Sequence, residues 1–204
     1  VFNGEIYNYQ ELKKELQEAG HTFVSNTDSE TLIHGYEEWG ESLVERLRGM
    51  YAFAIWDTRK KKLFAARDIF GIKPLYYAQM NGTLMFASEI KAFMEHPKFD
   101  KVFNEDALGN YLSFQFVPTN ETFFKGVFCL QPGHYFTYEN GELNITRYFE
   151  PNFTGDTEKS FEEIVDDVEA VMKESVAMHK ISDVEVASYL SSGVDSSYLT
   201  YLGQ

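Results

Sequence analysis

The feature that most limits the fold is a change in the spacing of apolar residues near Met50. Before Met50, apolar residues recur at helical spacing over residues 9–19 and again after Asp28 or Thr27, either of which can cap a helix. After it, short apolar and aromatic runs are separated by turn residues such as Asn81-Gly82, a pattern that predicts antiparallel strands. Helices followed by antiparallel strands predict an α+β layered domain over residues 1–150.

The predicted elements of this first domain follow from the same periodicities. Val1-Phe2 looks like the end of a strand that Asn3-Gly4 interrupts. In the second helix we expect Leu32, Ile33, Tyr36 and Trp39 to share one face. The other expected strands cover residues 50–56, 62–67, 74–80, 83–88, 127–130, 133–138 and 143–148, and further helices cover 89–95 and 105–113.

A second domain is predicted after a polar, aperiodic linker over residues 151–160. Residues 161–178 form an amphipathic helical pattern, 184–190 resemble a buried strand, and a helix is expected from Asp195. A strand, a loop of small residues and a helix are the opening of a doubly wound α/β domain. The chain begins at Val1 without Met and stops at Gln204, soon after that loop, so we expect a segment of a longer protein with this domain truncated.

Composition excludes several classes of function. The formal charge of −14 opposes a nucleic-acid partner, which would require a clustered basic face. No run of eighteen apolar residues is present, so neither a transmembrane helix nor a membrane partner is predicted. A single cysteine, Cys129, excludes an internal disulfide and favours a reducing, cytoplasmic setting. The five histidines show no ligand spacing among themselves or with Cys129, so a zinc-type site is not predicted.

The loop Ser191-Ser192-Gly193-Val194-Asp195-Ser196 carries the first candidate chemistry. Small residues before a helix let the backbone approach an anion, and the helix directs its free N–H groups at that anion. Asp195 is out of place beside a bare phosphate, but it can hold Mg²⁺ that bridges phosphate oxygens. The alternative is a simple Ser/Gly turn in which Asp195 is an ordinary helix cap.

The start of the chain carries the second candidate chemistry. The side-chain amide of Asn3 and the N–H of Gly4 are two donors that can converge on one oxyanion. Glu5 and Asp28 are carboxylates that can hold a substrate ammonium group. Taken singly, an Asn-Gly turn and a helix N-cap explain these residues equally well.

Their order along the chain carries a family resemblance. The loop at Ser191 is similar to the Ser-Gly-Gly-x-Asp-Ser loop of N-type ATP pyrophosphatases, with Ser192 where that family usually has its first glycine. The front half resembles the class II glutamine amidotransferase domain of glutamine-hydrolysing asparagine synthetases. The motifs shared with that domain are Asn-Gly-Glu-Ile-Tyr-Asn, Thr-Asp-Ser-Glu, Leu-Arg-Gly-Met-Tyr-Ala-Phe, Ala-Arg-Asp-x-x-Gly-Ile-x-Pro-Leu-Tyr and Phe-Ala-Ser-Glu.

The resemblance implies a fold and a set of roles. It implies an Ntn-hydrolase-like αββα domain in which Asn3 and Gly4 form the oxyanion hole, while Glu5 and Asp28 hold the ammonium of glutamine. It implies that the backbone at Tyr189 and Leu190, with Ser191, Ser192, Gly193, Asp195 and Ser196, binds ATP and Mg²⁺, and that aspartate is the amide acceptor. A homodimer is compatible with it.

The resemblance also implies what these residues lack. The family nucleophile is an N-terminal cysteine that these 204 residues do not contain, and internal Cys129 is not its substitute, so the fragment alone is expected to be inactive. Two alternatives stay open: an amidotransferase acting on another carboxylate, and a non-catalytic binding module. A related β-lactam-forming branch has lost the cysteine, which keeps the second alternative in view.

Overall fold

A computed structural model describes residues 1–155, 158–182 and 184–204, which divide into two compact units, Val1–Glu150 and Pro151–Gln204. Residues 156 and 157 of the predicted linker lie outside the described residues. The first unit contains eight strands: β1 Phe2–Ile6, β2 Gly49–Asp57, β3 Lys62–Arg67, β4 Tyr76–Met80, β5 Thr83–Ala87, β6 Val127–Cys129, β7 His134–Glu139 and β8 Glu142–Arg147.

These strands form two antiparallel sheets. One has five strands in the order β1-β2-β3-β7-β8, and the other has three in the order β5-β4-β6. The helices of the first unit are α1 Tyr9–Glu18, α2 Asp28–Trp39 and α3 Glu105–Phe114, with 3₁₀ helices at Gly40–Glu45 and Ile90–Glu95. The described residues of the second unit form α4 Phe161–His179 and α5 Val194–Leu202.

Alternation along β2 and β3 explains the layering. Phe53 of β2 and Phe64 of β3 pack with Leu12 of α1 and Leu32 of α2 on one face of the large sheet. The intervening alanines, such as Ala65, face the small sheet and meet Leu75, Tyr77 and Leu130. Both faces are therefore buried in the middle of these strands, which is why residues 51–54 and 63–66 are apolar without interruption.

The outer face of the small sheet is covered as well. Phe93, from the 3₁₀ helix Ile90–Glu95, packs there against Ala78, Met85 and Val127. The order of layers is helices, large sheet, small sheet, helix, so the predicted αββα arrangement of an α+β domain is confirmed. Among the described residues, no helix is both long and apolar enough to cross a membrane.

Three local predictions for the first unit were wrong. Strand β1 continues through Asn3 and Gly4 to Ile6 because the ladder with β2 outweighs the turn preference of Asn-Gly. Ile33 is 55% exposed, since the apolar face of α2 is completed by buried Gly35 instead. An aromatic stripe such as Tyr111, Phe114 and Phe116 predicts core packing rather than a cofactor site, but these residues are each more than 40% exposed on or beside α3.

The second unit departs from the sequence prediction at one element. Helix α4 forms as expected, and Ser160 and Glu163 close a capping box at its start. Residues 184–190 form no strand, and Val184, Val186 and Leu190 are exposed. A strand needs a neighbour for its backbone hydrogen bonds, and the described residues of this unit include no second extended segment that pairs with 184–190.

Candidate functional site

The candidate glutamine site lies at the open edges of the two sheets. A cavity of about 360 Å³ there is lined by Val1, Phe2, Asn3, Ala52, Phe53, Ala54, Leu75, Phe86, Ala87 and Ser88. These residues lie on or directly beside β1 and β5, the edge strands of the large and small sheets, and β2 and β4, the strands next to them. The Asn3 side chain crosses between the sheets, and its Nδ2 donates to Ser88 Oγ at 3.4 Å.

Backbone geometry directs the Gly4 N–H away from the sheet. The N–H of Val1 bonds to Ala54 and that of Tyr7 bonds to Arg48, so the odd-numbered residues of this strand face β2. The N–H of Ile6 instead points to the free edge, where Asp28 accepts it at 3.0 Å. Because backbone groups two residues apart in a strand point the same way, the Gly4 N–H is aimed at this edge too.

Glycine is required at position 4 by close packing of two strands. A Cβ built on Gly4 would lie 2.1 Å from the carbonyl oxygen of Met50, and the residue has φ +153°. A Cβ on Gly49 would meet the carbonyl oxygen of Glu5 at 2.2 Å. Strands β1 and β2 approach so closely here that any side chain would force them apart.

The two carboxylates predicted to hold an ammonium group both adjoin β1. Glu5 lies on the strand itself and is half-buried. Burial is the main reason that the pKa of Tyr7 is raised, and the negative charges of Glu5 and Asp68 raise it further. Asp28 begins α2 and reaches β1 through its bond to the Ile6 N–H, so the chain fold joins residues 22 positions apart.

A turn after β3 fixes one wall of the cavity. Asp68 is fully buried and accepts hydrogen bonds from the backbone N–H groups of Tyr51, Phe70, Ile72 and Lys73 at 3.0–3.2 Å. Arg67 donates to the carbonyl oxygens of Gly71, Lys73 and Leu130 at 2.6–2.7 Å. The two side chains therefore hold the turn through its backbone, and that turn leads to cavity residue Leu75.

Cys129 is placed away from this cavity. It lies on β6, where its Sγ accepts a hydrogen bond from Arg67 at 3.2 Å. It lines a separate cavity of about 630 Å³ beside α3. A thiol in that position does not face the donors at Asn3 and Gly4.

The candidate ATP loop forms the N-terminus of α5. Gly193 is the N-cap residue, and its carbonyl oxygen accepts bonds from the Ser197 N–H at 3.0 Å and from the Ser196 and Ser197 hydroxyls at 3.1 and 2.8 Å. Ser191 Oγ donates to Ser196 Oγ at 3.0 Å, which closes the loop. Asp195 lies exposed in the first turn, and the side chains of Tyr189 and Leu190 are also exposed.

Ser192 adopts the backbone conformation that glycine favours. Its φ is +67°, in the left-handed region that costs an L residue roughly 1–2 kcal/mol. This is the position where the resemblance placed a glycine. The loop forms the left-handed turn with serine at this position, although glycine adopts this conformation more easily.

Sequence reasoning missed several residues of these regions. Ser88 belongs to a motif used for the resemblance but was given no role, and it contacts Asn3. In the sequence, Arg67-Asp68 indicates only a structural ion pair or a turn, because adjacent charges along the chain do not show which backbone groups converge on them. His21 and His34 come together with Glu37, although their spacing in the sequence gave no signal.

Comparison with known proteins gives a family match for each unit of the chain, and both matches agree with the resemblance indicated by the sequence motifs. Residues 1–149 match the glutamine amidotransferase domain family, and residues 167–204 match the asparagine synthase family. Asparagine synthetase [glutamine-hydrolyzing] 1 of Bacillus subtilis is 42% identical over 98% of this chain. A putative asparagine synthetase [glutamine-hydrolyzing] of Mycobacterium tuberculosis is 42% identical over 99% of it. The chain spans 31% and 32% of these two relatives.

The fold has a solved counterpart. A glutamine phosphoribosylpyrophosphate amidotransferase of B. subtilis aligns with 100% of this chain and 43% of its own at a TM-score of 0.52 and 19% identity, a likeness of fold alone. Residues 167–204 match the asparagine synthase family over a short segment, and with its match over residues 1–149 the chain belongs to the glutamine amidotransferase domain family.

Proposed function

We propose that the protein takes part in glutamine-dependent, ATP-dependent amidation of aspartate to asparagine in the cytoplasm. Residues 1–150 would form the domain that releases ammonia from glutamine. Residues 151–160 would be the linker, and residues 161–204 would begin the domain that activates aspartate. Two observations support the pairing: the relatives at 42% identity are named as glutamine-hydrolysing asparagine synthetases, one of them as putative, and both family matches occur in this order.

The observation that best supports glutamine hydrolysis by the first unit is the pair of hydrogen-bond donors, Asn3 and Gly4, at the sheet edge. Attack on a glutamine amide places negative charge on its oxygen, and donors fixed in advance lower the energy of that state. The Asn3 amide lines the cavity, while the Gly4 N–H points outward from the free edge of β1. Removing one such donor in hydrolytic enzymes costs about 10²–10³ in turnover.

The carboxylates of Glu5 and Asp28 are the groups that we propose bind the ammonium group of glutamine. A substrate ammonium group would be attracted to both, since opposite charges within a few ångströms stabilise each other. The attacking thiol would come from outside residues 1–204, because Cys129 lies by another cavity. In this scheme water replaces ammonia on the acyl group, giving glutamate and free ammonia.

The second unit offers groups that suit ATP. Gly193 and the following N–H groups form a helix N-terminus, which favours phosphate oxygens, and the hydroxyls of Ser191 and Ser196 stand beside it. The backbone at Tyr189 and Leu190, with Ser192, would complete the ATP-binding segment. Exposed Asp195 has the oxygen donors that Mg²⁺ prefers, and the ion would neutralise phosphate charge when bound.

The proposed activities of the two units combine into one overall reaction. The β-carboxylate of aspartate would displace pyrophosphate from the α-phosphorus of ATP and form β-aspartyl-AMP. Ammonia would attack the β-carbonyl carbon and release AMP, which gives asparagine. Activation is needed because a free carboxylate is a poor acyl donor.

The test separates the half-reactions in the complete gene product. Asn3→Ala should lower glutaminase turnover about 10²-fold while leaving aspartate-dependent ATP–pyrophosphate exchange intact. Asp195→Ala should abolish exchange and leave glutaminase turnover within a factor of two. Glutaminase turnover that is unchanged in Asn3→Ala contradicts the oxyanion role. Exchange that needs a carboxylate other than aspartate shows that the amide acceptor has been misassigned.

A further inference from the structure

A cluster of histidines and glutamates lies on the helical layer of the first unit. His21 follows α1, and His34 and Glu37 lie one turn apart on α2. One ligand atom from each of the three lies within 4.8 Å of the other two. None of them belongs to the cavity beside Asn3.

Each of the two imidazole rings lies between Glu37 and a second carboxylate. The Nδ1 atoms of His21 and His34 face Glu37 Oε2, at 3.8 and 3.1 Å. Their opposite nitrogens face separate carboxylates: His21 Nε2 lies 3.0 Å from Glu38 and His34 Nε2 lies 3.5 Å from Glu30. Metal-ligating histidines typically donate their other ring N–H to such an outer carboxylate, which fixes the ring and the tautomer.

The distances suit a small divalent ion. Bonds of about 2.1 Å in a tetrahedral site place neighbouring ligand atoms about 3.4 Å apart. The Glu37 oxygen lies 3.1 and 3.8 Å from the two Nδ1 atoms, values that bracket this separation. Small side-chain rotations would equalise them.

The surroundings favour a cation and leave a path for it. The side chains of His21 and His34 are only 17% and 18% exposed, whereas that of Glu37 is 53% exposed. His21 and Glu37 line an open depression of about 470 Å³. Arg59 and Lys60 line it too, but the three carboxylates around the rings outnumber them.

The outer carboxylate of Glu30 is itself well anchored. It accepts the backbone N–H groups of Val24 and Ser25 at 2.7 Å and the hydroxyl of Ser25. Because these bonds fix its position, Glu30 can accept the Nε2–H of His34, whose ring nitrogen lies 3.5 Å from the Glu30 oxygen. That arrangement leaves the Nδ1 lone pair of His34 available.

We propose that His21, His34 and Glu37 form a binding site for a divalent transition-metal ion of the Zn²⁺ type. Glu38 and Glu30 orient the two rings, and water completes the coordination. Imidazole and carboxylate ligands match this class of ion rather than Mg²⁺ or Ca²⁺. The ion ties the loop after α1 to α2, the helix that begins at Asp28.

The test is a metal titration of the chain after treatment with a chelator. Zn²⁺ is titrated in competition with a chromophoric chelator, and Co²⁺ binding is followed by visible absorption. We expect one ion per chain, loss of affinity of at least tenfold in His21→Gln and His34→Gln, and a loss of about 10–100-fold in the outer-carboxylate variant Glu38→Gln. His96→Gln, a histidine outside the cluster, should bind as the unaltered chain does.

Circular dichroism of each variant separates loss of a ligand from loss of the fold. A His34→Gln chain that keeps its spectrum and still binds Zn²⁺ with unchanged affinity overturns the proposal. Binding with no defined stoichiometry overturns it as well. A sulfur-to-cobalt charge-transfer band would assign the ion to Cys129 and also refute the site.

Discussion

Replacing Asp68 by asparagine tests the origin of the turn that supports the candidate glutamine site. The carboxylate is fully buried, with Oδ1 accepting the N–H groups of Phe70 and Ile72 and Oδ2 those of Tyr51 and Lys73. Asparagine has nearly the same shape but only one acceptor oxygen. Its amide nitrogen would face two N–H donors that it cannot satisfy.

The size of the effect follows from these contacts. Hydrogen bonds to a charged group contribute about 1.5–3 kcal/mol each, so the loss of two predicts a cost of about 3–6 kcal/mol. A domain is stable by only about 5–15 kcal/mol in total, so this is a large fraction. For a unit of this size, each kcal/mol lowers the melting temperature by roughly 2–4 °C, which predicts a fall of about 6–24 °C.

Thermal unfolding followed by circular dichroism measures the effect. Asp57→Asn is the matched control, because Asp57 Oδ1 accepts the N–H groups of Arg59 and Lys60 and asparagine keeps that oxygen. Asp57 Oδ2 accepts the Tyr36 hydroxyl at 3.4 Å, and the asparagine NH₂ at that position can donate to the same hydroxyl oxygen. We expect the control to cost less than about 1 kcal/mol. If Asp68→Asn melts within about 3 °C of the unaltered chain, the charge is not what holds the turn, and the reasoning is refuted.

Two further outcomes follow from local geometry. The low pKa of Glu30, about 2, means that its ionised form stabilises the folded chain above its ordinary pKa and that this contribution is lost as the pH falls toward 2. Melting temperatures of the unaltered chain and Glu30→Gln should therefore differ at pH 6 and converge near pH 2; a gap that stays constant with pH contradicts this. At Ser192, with φ +67°, glycine should retain aspartate-dependent ATP–pyrophosphate exchange in the complete gene product. Ser192→Val should lower this exchange at least tenfold, because a β-branched residue does not readily adopt a positive φ. Equal exchange in the glycine and valine variants would show that ATP binding does not depend on the left-handed conformation at this position.

Local sequence patterns predicted most of the helices and strands. Strand β3 spans residues 62–67 as expected, and the α2 and α4 starts match their sequence signals. These segments have periodicity, turn residues or caps that act over a few neighbours. The strand expected over 184–190 failed because a strand depends on a partner that its own residues do not supply.

The candidate site residues Asn3, Gly4, Glu5 and Asp28 were named from motifs, but a motif could not show how they meet. Their assigned roles stay predictions. What the structure adds is geometry: Asp28 reaches β1 at Ile6, and the Gly4 N–H points outward from the same free edge. The turn preference of Asn-Gly had suggested the opposite, a strand interrupted at this point.

The sequence alone determined most of the helical and extended segments, the residue types that could do the chemistry, and the family resemblance, because these properties reside in short runs of side chains. Only the tertiary structure decided that Asp68 gathers four backbone N–H groups and that His21, His34 and Glu37 share one surface. Such groupings join residues far apart in the chain. They depend on how the sheets and helices pack, and the burial of apolar surface that drives this packing is not directional.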